Sequence, residues 1–104
     1  MKQKESDIKK AICDWLAIQP NTFFCRPSTT GIPDGKGGFR TNHSKGISDI
    51  IGVKKGRGFF FEVKTPEGKP TKDQINFLMK ADRAGGYACI VRSLKDAQEA
   101  FAEI

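Results

Sequence analysis

The chain has 104 residues, of which 38% are hydrophobic and 29% are charged, and its formal net charge is +6 at pH 7. This length suits one domain over residues 1–104 with a single modest core, and no apolar run approaches the roughly 18 residues of a membrane span. The basic N-terminus has no apolar segment behind it and does not read as a signal peptide, so we expect a cytoplasmic protein.

The positive charge favours a polyanionic partner, because Lys and Arg gain affinity by releasing the counterions of phosphates. It is equally compatible with a role in solubility alone. The three cysteines (Cys13, Cys25 and Cys89) are far apart in the sequence, and the chain has a single histidine. This composition argues against a structural zinc site, and reduced thiols are expected.

The first half of the chain predicts a helix, a strand and a long loop. In the helix over 4–18, apolar residues recur at helical spacing along one stripe. A short strand is predicted over 22–26. The Gly- and Pro-rich stretch 27–46 is long for a connection, so it is either functional or contains a small hairpin with 39–41 as one arm.

The second half predicts a hairpin, a crossover helix and a closing helix. Its strands are expected over 48–54 and 59–65, with a tight turn at 55–58. A helix over 71–85, a strand over 87–92 and a helix over 93–104 follow. The order α-β-(loop or hairpin)-β-β-α-β-α predicts an α/β fold with a mixed central sheet flanked by helices.

Three charged residues stand at the ends of the predicted hairpin strands. Glu62 and Lys64 share one face of their strand, about 6.6 Å apart, and Asp49 on the preceding strand is close enough to meet Glu62. Two adjacent carboxylates need a cation to stay ionised. Lys64 supplies one charge, and a divalent ion held by oxygen ligands, Mg²⁺ or Mn²⁺, would supply more. A purely structural ion-pair network is the equally weighted alternative.

This pattern resembles the PD-(D/E)xK nuclease superfamily. The segments "GISDIIG", "FEVK" and "GKPTKDQINFL" are similar to the VRR-NUC branch, as is "GGYACIVRS". Ser48 stands where the superfamily usually has a proline. The resemblance spans nearly the whole chain and implies a restriction-endonuclease-like core and metal-dependent hydrolysis of phosphodiester bonds.

The resemblance also implies roles for individual residues. It makes Asp49 and Glu62 ligands of Mg²⁺ or Mn²⁺, together with the main-chain carbonyl of Val63, and makes Lys64 the group that orients the attacking water. Glu5 fits the acid of the family's first helix, acting as a ligand through water, with Asp7 as the rival. An exposed first-turn Glu, placed by the helix dipole, is the alternative for Glu5.

Gln74 fits the glutamine that opens the family's next helix and supports the catalytic lysine. Its alternative is a partly buried Gln that bonds to the backbone. His43 is expected to be a solvated loop residue rather than a phosphate contact.

Basic residues around these positions are candidates for DNA contacts through backbone phosphates. Individually, each is better explained as a solvated surface charge, and the set is stronger evidence than its members. The set comprises Arg26, Arg40, Lys45, Lys54, Lys55, Arg57, Lys69 and Lys72.

The sequence therefore predicts a metal-dependent, structure-selective DNA endonuclease. Single-domain members of the family are similar to Holliday-junction resolvases, which implies a homodimer, branched DNA as the partner, and a phage or bacterial setting. A non-catalytic nucleic-acid-binding module with the same fold is one alternative. A nuclease for flap or duplex DNA, or a sequence-specific restriction-type enzyme, is another.

Overall fold

The computed structural model describes residues 4–27 and 45–104, together with the backbone of 32–33 and 39–40. The helices and strands in chain order are α1 (Glu5–Leu16), β1 (Thr22–Cys25), β2 (Ile32–Pro33), β3 (Phe39–Arg40), β4 (Ile50–Lys54), β5 (Arg57–Val63), α2 (Lys72–Arg83), β6 (Tyr87–Val91) and α3 (Leu94–Ala102).

The main sheet has four strands in the order β1-β4-β5-β6. The first three are antiparallel neighbours, and β6 runs parallel to β5 after the α2 crossover. The predicted mixed α/β sheet is confirmed, with β5 as a central strand. The short hairpin considered for 27–46 is present as β2 paired with β3.

The two faces of β5 pack against different helices. Phe59, Phe61 and Val63 are fully buried on one face, where the Phe59 ring contacts Phe101 of α3 edge to face and α1 closes the same core. On the opposite face, Phe60 contacts Phe77 of α2. A strand covered on both sides explains why its apolar residues run consecutively rather than alternating with polar ones.

Helices α2 and α3 each begin at a side chain that caps the first turn. Thr71 accepts from Gln74 N at the start of α2, and Ser93 accepts from Asp96 N at the start of α3. Thr and Ser are residue types preferred at this position. No helix among the described residues combines the length and apolarity needed to cross a bilayer.

Two predicted boundaries were wrong by a few residues. The hairpin turn comprises only Lys55 and Gly56, both with positive φ, because a two-residue turn of this kind matches the twist of the strands. The first strand of the hairpin starts at Ile50 rather than at residue 48, since the chain bends at Asp49. His43 lies outside the described residues.

Candidate active site

The antiparallel register of β4 and β5 brings Asp49 and Glu62 together. Ile50 pairs with Phe61, so Asp49 lies opposite Glu62, one residue beyond the last pair. The predicted meeting of the two acids at the open end of the hairpin is observed. Because the chain bends at Asp49, the backbone pairing of β4 with β5 ends at Ile50. The next hydrogen bond to β5 is made by the Asp49 side chain.

Asp49 bonds to two different elements. Its Oδ2 accepts from the backbone N–H of Val63 at 2.8 Å, which replaces the main-chain acceptor that a longer β4 would have supplied. Its Oδ1 accepts from Lys9 Nζ of α1 at 3.2 Å. The carboxylate is thus held between the end of β5 and the first helix.

Glu62 is buried at the same place, with 2% of its surface exposed. Its Oε1 accepts from Gln74 Nε2 at 3.4 Å, whereas its buried Oε2 has no hydrogen-bond donor in the described part of the chain. A buried, unpartnered carboxylate oxygen is costly. A proton or a cation shared with Asp49 would satisfy it.

The two carboxyl groups titrate as a pair. Burial, followed by the hydrogen bond and the negative charge of Asp49, raises the pKa of Glu62 to about 9. For Asp49 burial acts in the same direction, but hydrogen bonds from Glu62 and Val63 together with Lys9 outweigh it and lower the pKa. Near neutral pH and without a metal, we therefore expect the pair to hold one proton between its two carboxyl groups.

Gln74 is oriented by the start of its own helix. Its Oε1 accepts from Thr71 N at 2.8 Å and so completes a capping box, which leaves Nε2 directed at Glu62. Gly46, with φ +70°, packs against the same turn, since a Cβ there would lie 2.2 Å from the Asp73 carbonyl carbon. The start of α2 thus contacts Glu62 and also the segment leading to Asp49.

Lys64 follows Glu62 at the end of β5, and its charge acts to lower the pKa of Glu62. The loop after it is held by Arg92, whose Nη1 donates to the carbonyls of Thr65 at 2.7 Å and Gly68 at 2.6 Å. Sequence reasoning missed Arg92. The signal in the sequence was that Arg92 directly follows the apolar strand β6, which pairs with β5.

The first helix contributes two residues to this end of the sheet. Glu5 is half-buried and its charge acts on the pKa of Glu62, whereas Asp7 is exposed, which favours Glu5 over its rival. Lys9, the partner of Asp49, was missed. It lies four residues after Glu5 on the same side of the helix, and this spacing was the signal that could have found it.

The oxygen atoms suit a hard divalent cation, and the unpartnered Oε2 of Glu62 is the observation that supports one. The backbone N–H of Lys64 donates to Val91 O on the β6 side. Since the backbone groups of successive residues point to opposite neighbours, the N–H and C=O of Val63 face the side of Asp49. Within the described ranges no three His, Cys, Asp or Glu side chains converge. Asp49, Glu62 and the Val63 carbonyl are thus the direct candidates, and Glu5 is a candidate only through water.

The basic candidates divide between the two ends of the sheet. Arg26, Lys45, Lys69 and Lys72 lie at the Asp49 end, beside β1 and α2, and all four are exposed. Lys54, Lys55 and Arg57 lie at the turn end, about 17 Å away along β4. Arg40 is in β3, and its side chain is outside the described part of the structure.

Two of the turn-end residues have structural partners. Lys54 Nζ donates to Phe101 O at 2.7 Å, and Arg57 Nε donates to Gly85 O at 3.3 Å. Their closeness to the site in sequence does not correspond to closeness in space.

The fold can be compared with solved structures. One described as "VRR_NUC domain protein" superposes with a TM-score of 0.72 at 15% identity, covering 98% of this chain and 88% of that chain. A second, "VRR_NUC domain", superposes with a TM-score of 0.68 at 19% identity, covering 94% of each chain. The chain has the VRR_NUC fold. No family model and no curated protein matches the sequence.

The expected resemblance is thus confirmed at the level of fold. At one end of this mixed sheet, the β4–β5 hairpin presents Asp49 and the Glu62-x-Lys64 pair.

Proposed function

We propose that this protein is a metal-dependent DNA endonuclease that hydrolyses phosphodiester bonds at branched structures. The observation that carries the proposal is the contact of half-buried Asp49 with buried Glu62 at the hairpin end of a VRR_NUC fold, where Oε2 of Glu62 has no donor among the described residues. A core that only needed stability would not gain from placing two acids side by side with one of them buried.

Asp49, Glu62 and the carbonyl of Val63 would hold Mg²⁺ or Mn²⁺. When bound, the ion lowers the pKa of a bound water and neutralises charge developing on the phosphate. Lys64, beside Glu62, is placed to orient the attacking water and to stabilise the charged phosphoryl group. Gln74 fixes the carboxylate of Glu62, and Glu5 contributes through water.

The substrate and assembly are extensions of the same proposal. A domain of this size has little surface for reading bases, so recognition through shape and phosphates is expected. We propose a homodimer acting on four-way junctions, since two symmetric sites would cut opposing strands. A two-fold dimer is the commonest soluble assembly.

The test is cleavage of a labelled four-way junction beside flap and linear duplex DNA, with Mg²⁺, Mn²⁺ or EDTA. The comparison is wild type, Asp49→Asn and the exposed control Asp7→Asn. We expect paired cuts in the junction that require metal, are lost in Asp49→Asn and persist in Asp7→Asn. Sedimentation of the free protein tests the dimer separately.

Other outcomes discriminate the alternatives. Cleavage of flaps or duplex in place of junctions would support the nuclease proposal and contradict the choice of four-way junctions as the substrate. DNA binding by wild type without cleavage under either metal would contradict the nuclease proposal and leave a binding module.

A further inference from the structure

A groove of about 600 Å³ lies beside the candidate active site, between β5 and α2. We call it the α2 groove. It is lined by two aromatic rings, two ammonium groups, an amide and a carboxylate, from Phe60, Phe77, Lys45, Lys80, Asn76 and Asp73. Apart from Lys45, none of these residues has a role in the hydrolysis proposed above.

The α2 groove begins next to the metal-binding carboxylates. Phe60 and Glu62 are two residues apart on β5, so their side chains share a face and are separated by about 6.6 Å along the strand. Asp73 immediately precedes Gln74, which bonds Glu62. The groove is therefore about one nucleotide step of an extended strand away from the phosphate that the site would hold.

The rings are held in place before any ligand arrives. Phe60 and Phe77 pack edge to face, with centroids 6.1 Å apart, and both are only half-buried. The Phe60 ring also lies against Gly86, where a Cβ would be 2.5 Å from its Cε1 atom. Only glycine allows the ring to pack this closely on the backbone.

We propose that the α2 groove receives one unpaired nucleotide of the DNA substrate. The base packs against the Phe60 and Phe77 rings, as bases do on aromatic platforms. The amide of Asn76 and the carboxylate of Asp73 bond to the base edge. This inference rests on the proposed nuclease function and specifies what the enzyme recognises at a branch point: splayed arms and flaps carry such a nucleotide already, and a four-way junction supplies one when a base pair beside the branch point opens.

The charge of the groove selects this occupant. The ammonium groups of Lys45 and Lys80 flank the rings and match the phosphates on either side of a base. An apolar peptide or small apolar molecule would gain nothing from them. One nucleotide uses the rings, the amide and both cations together, and a groove of this volume is large enough to hold it.

The test measures binding in EDTA, so it does not depend on cleavage. The probes are fluorescein-labelled splayed duplexes that carry either a normal nucleotide or an abasic analogue at the first unpaired position of each arm. Base–aromatic stacking predicts that wild type binds the base-containing DNA at least about fivefold tighter. Phe77→Leu is expected to reduce this ratio to near one.

Two further variants keep the experiment decisive. Phe23→Leu makes the same substitution at a Phe that is 73% exposed on β1, outside the groove, and should retain the ratio. Asn76→Ala changes an exposed helix residue without cost to folding and should lower the ratio even if Phe77→Leu folds poorly.

Equal binding of abasic and normal DNA by wild type would overturn the inference, as would an undiminished ratio in Asn76→Ala and folded Phe77→Leu. Tighter binding of base-containing DNA in EDTA, combined with no cleavage in Mg²⁺ or Mn²⁺, would instead contradict the nuclease proposal and support the nucleotide-binding role of the α2 groove.

Discussion

At the scale of single residues, the Asp49–Glu62 pair has two ways to relieve its repulsion. In the metal-free protein a bound proton relieves the repulsion, because burial and the neighbouring Asp49 raise the pKa of Glu62 to about 9. A divalent ion would replace that proton, since metal ligands must be ionised. Proton and metal therefore compete for the same buried oxygen, and the pH of the solution decides which is favoured.

The raised pKa predicts how stability depends on pH. Between the ordinary value of 4.5 and about 9, the folded protein keeps a proton on Glu62 that the unfolded chain releases. The free energy of unfolding is then highest near pH 5 and falls toward pH 9. The lowered pKa of Asp49 acts only below its ordinary value of 3.8, outside this range.

Urea unfolding in EDTA at pH 5, 7 and 9 checks this, with Glu62→Gln as the reference that cannot ionise. We expect wild type to lose stability relative to Glu62→Gln as pH rises, and Mn²⁺ to restore it most strongly at pH 9. A difference between the two proteins that stays constant with pH would contradict the assignment.

Lys9 predicts a second effect at this scale. Its ammonium lies 3.2 Å from Asp49 Oδ1, where it opposes the approach of another cation. Lys9→Met should therefore raise the affinity for Mn²⁺, by roughly three- to tenfold, and lower stability in EDTA. Titration calorimetry measures the affinity. Lys10→Met is the matched control, because Lys10 is exposed and pairs with Asp14; equal affinity in all three proteins would show that Lys9 does not act on the site.

At the scale of elements, the sheet and helices depend on contacts that sequence distance conceals. α3 has no basic residue in its last turn, yet Lys54 of β4 reaches its end. The ammonium donates to Phe101 O and lies 4.2 Å from the centre of the Phe101 ring. Phe101 O also accepts from Ile104 N at 3.2 Å, so Lys54 adds a second, charged donor at the helix C-terminus and complements the helix dipole. Lys54 therefore has a structural role.

Lys54→Ala should therefore lower the free energy of unfolding by about 1–2 kcal/mol. Lys95→Ala, at an exposed position of the same helix, should change it by less than about 0.5 kcal/mol. Urea unfolding of both variants and wild type measures the difference. If the two substitutions had equal effects, the contact would not contribute to stability.

The difference between Lys54 and Asp49 shows what sequence reasoning can reach. Asp49, Glu62 and Lys64 were predictable because strand alternation and a two-stranded register constrain where they point. Gln74 was predicted from the resemblance of its helix start to the VRR-NUC pattern, and the structure adds the capping box that orients it. The contacts of Lys54 and Arg92 were not predictable, since their partners lie 47 and 24–27 residues away and no local pattern encodes such distances. For Lys9, the spacing from Glu5 indicates its side of α1, but not its partner 40 residues away.

At the scale of the whole molecule, the end of the sheet that holds Asp49 and Glu62 combines three helix N-termini with several cationic side chains. α1, α2 and α3 all begin at the end of the sheet where Asp49 and Glu62 lie, as the Lys9–Asp49 and Gln74–Glu62 contacts and the β6–α3 connection require. Their dipoles add to five cationic side chains there: Arg26, Lys45, Lys64, Lys69 and Lys72. A polyanion is attracted to the same end as the candidate metal ligands.

This asymmetry predicts the salt dependence of DNA binding. If the five cations contact phosphates, a plot of log K against log salt concentration in EDTA has a slope of about −4 to −5. Lys69→Ala and Lys72→Ala should each make it shallower by about 0.9, because each removes one phosphate contact. Lys55→Gln, at the turn end of the sheet, should leave it unchanged. Fluorescence anisotropy titrations at salt concentrations between about 50 and 300 mM measure K for wild type and the three variants. A loss in Lys55→Gln equal to that in Lys69→Ala would mean that DNA covers both ends of the sheet and that the charge at the carboxylate end does not position the substrate.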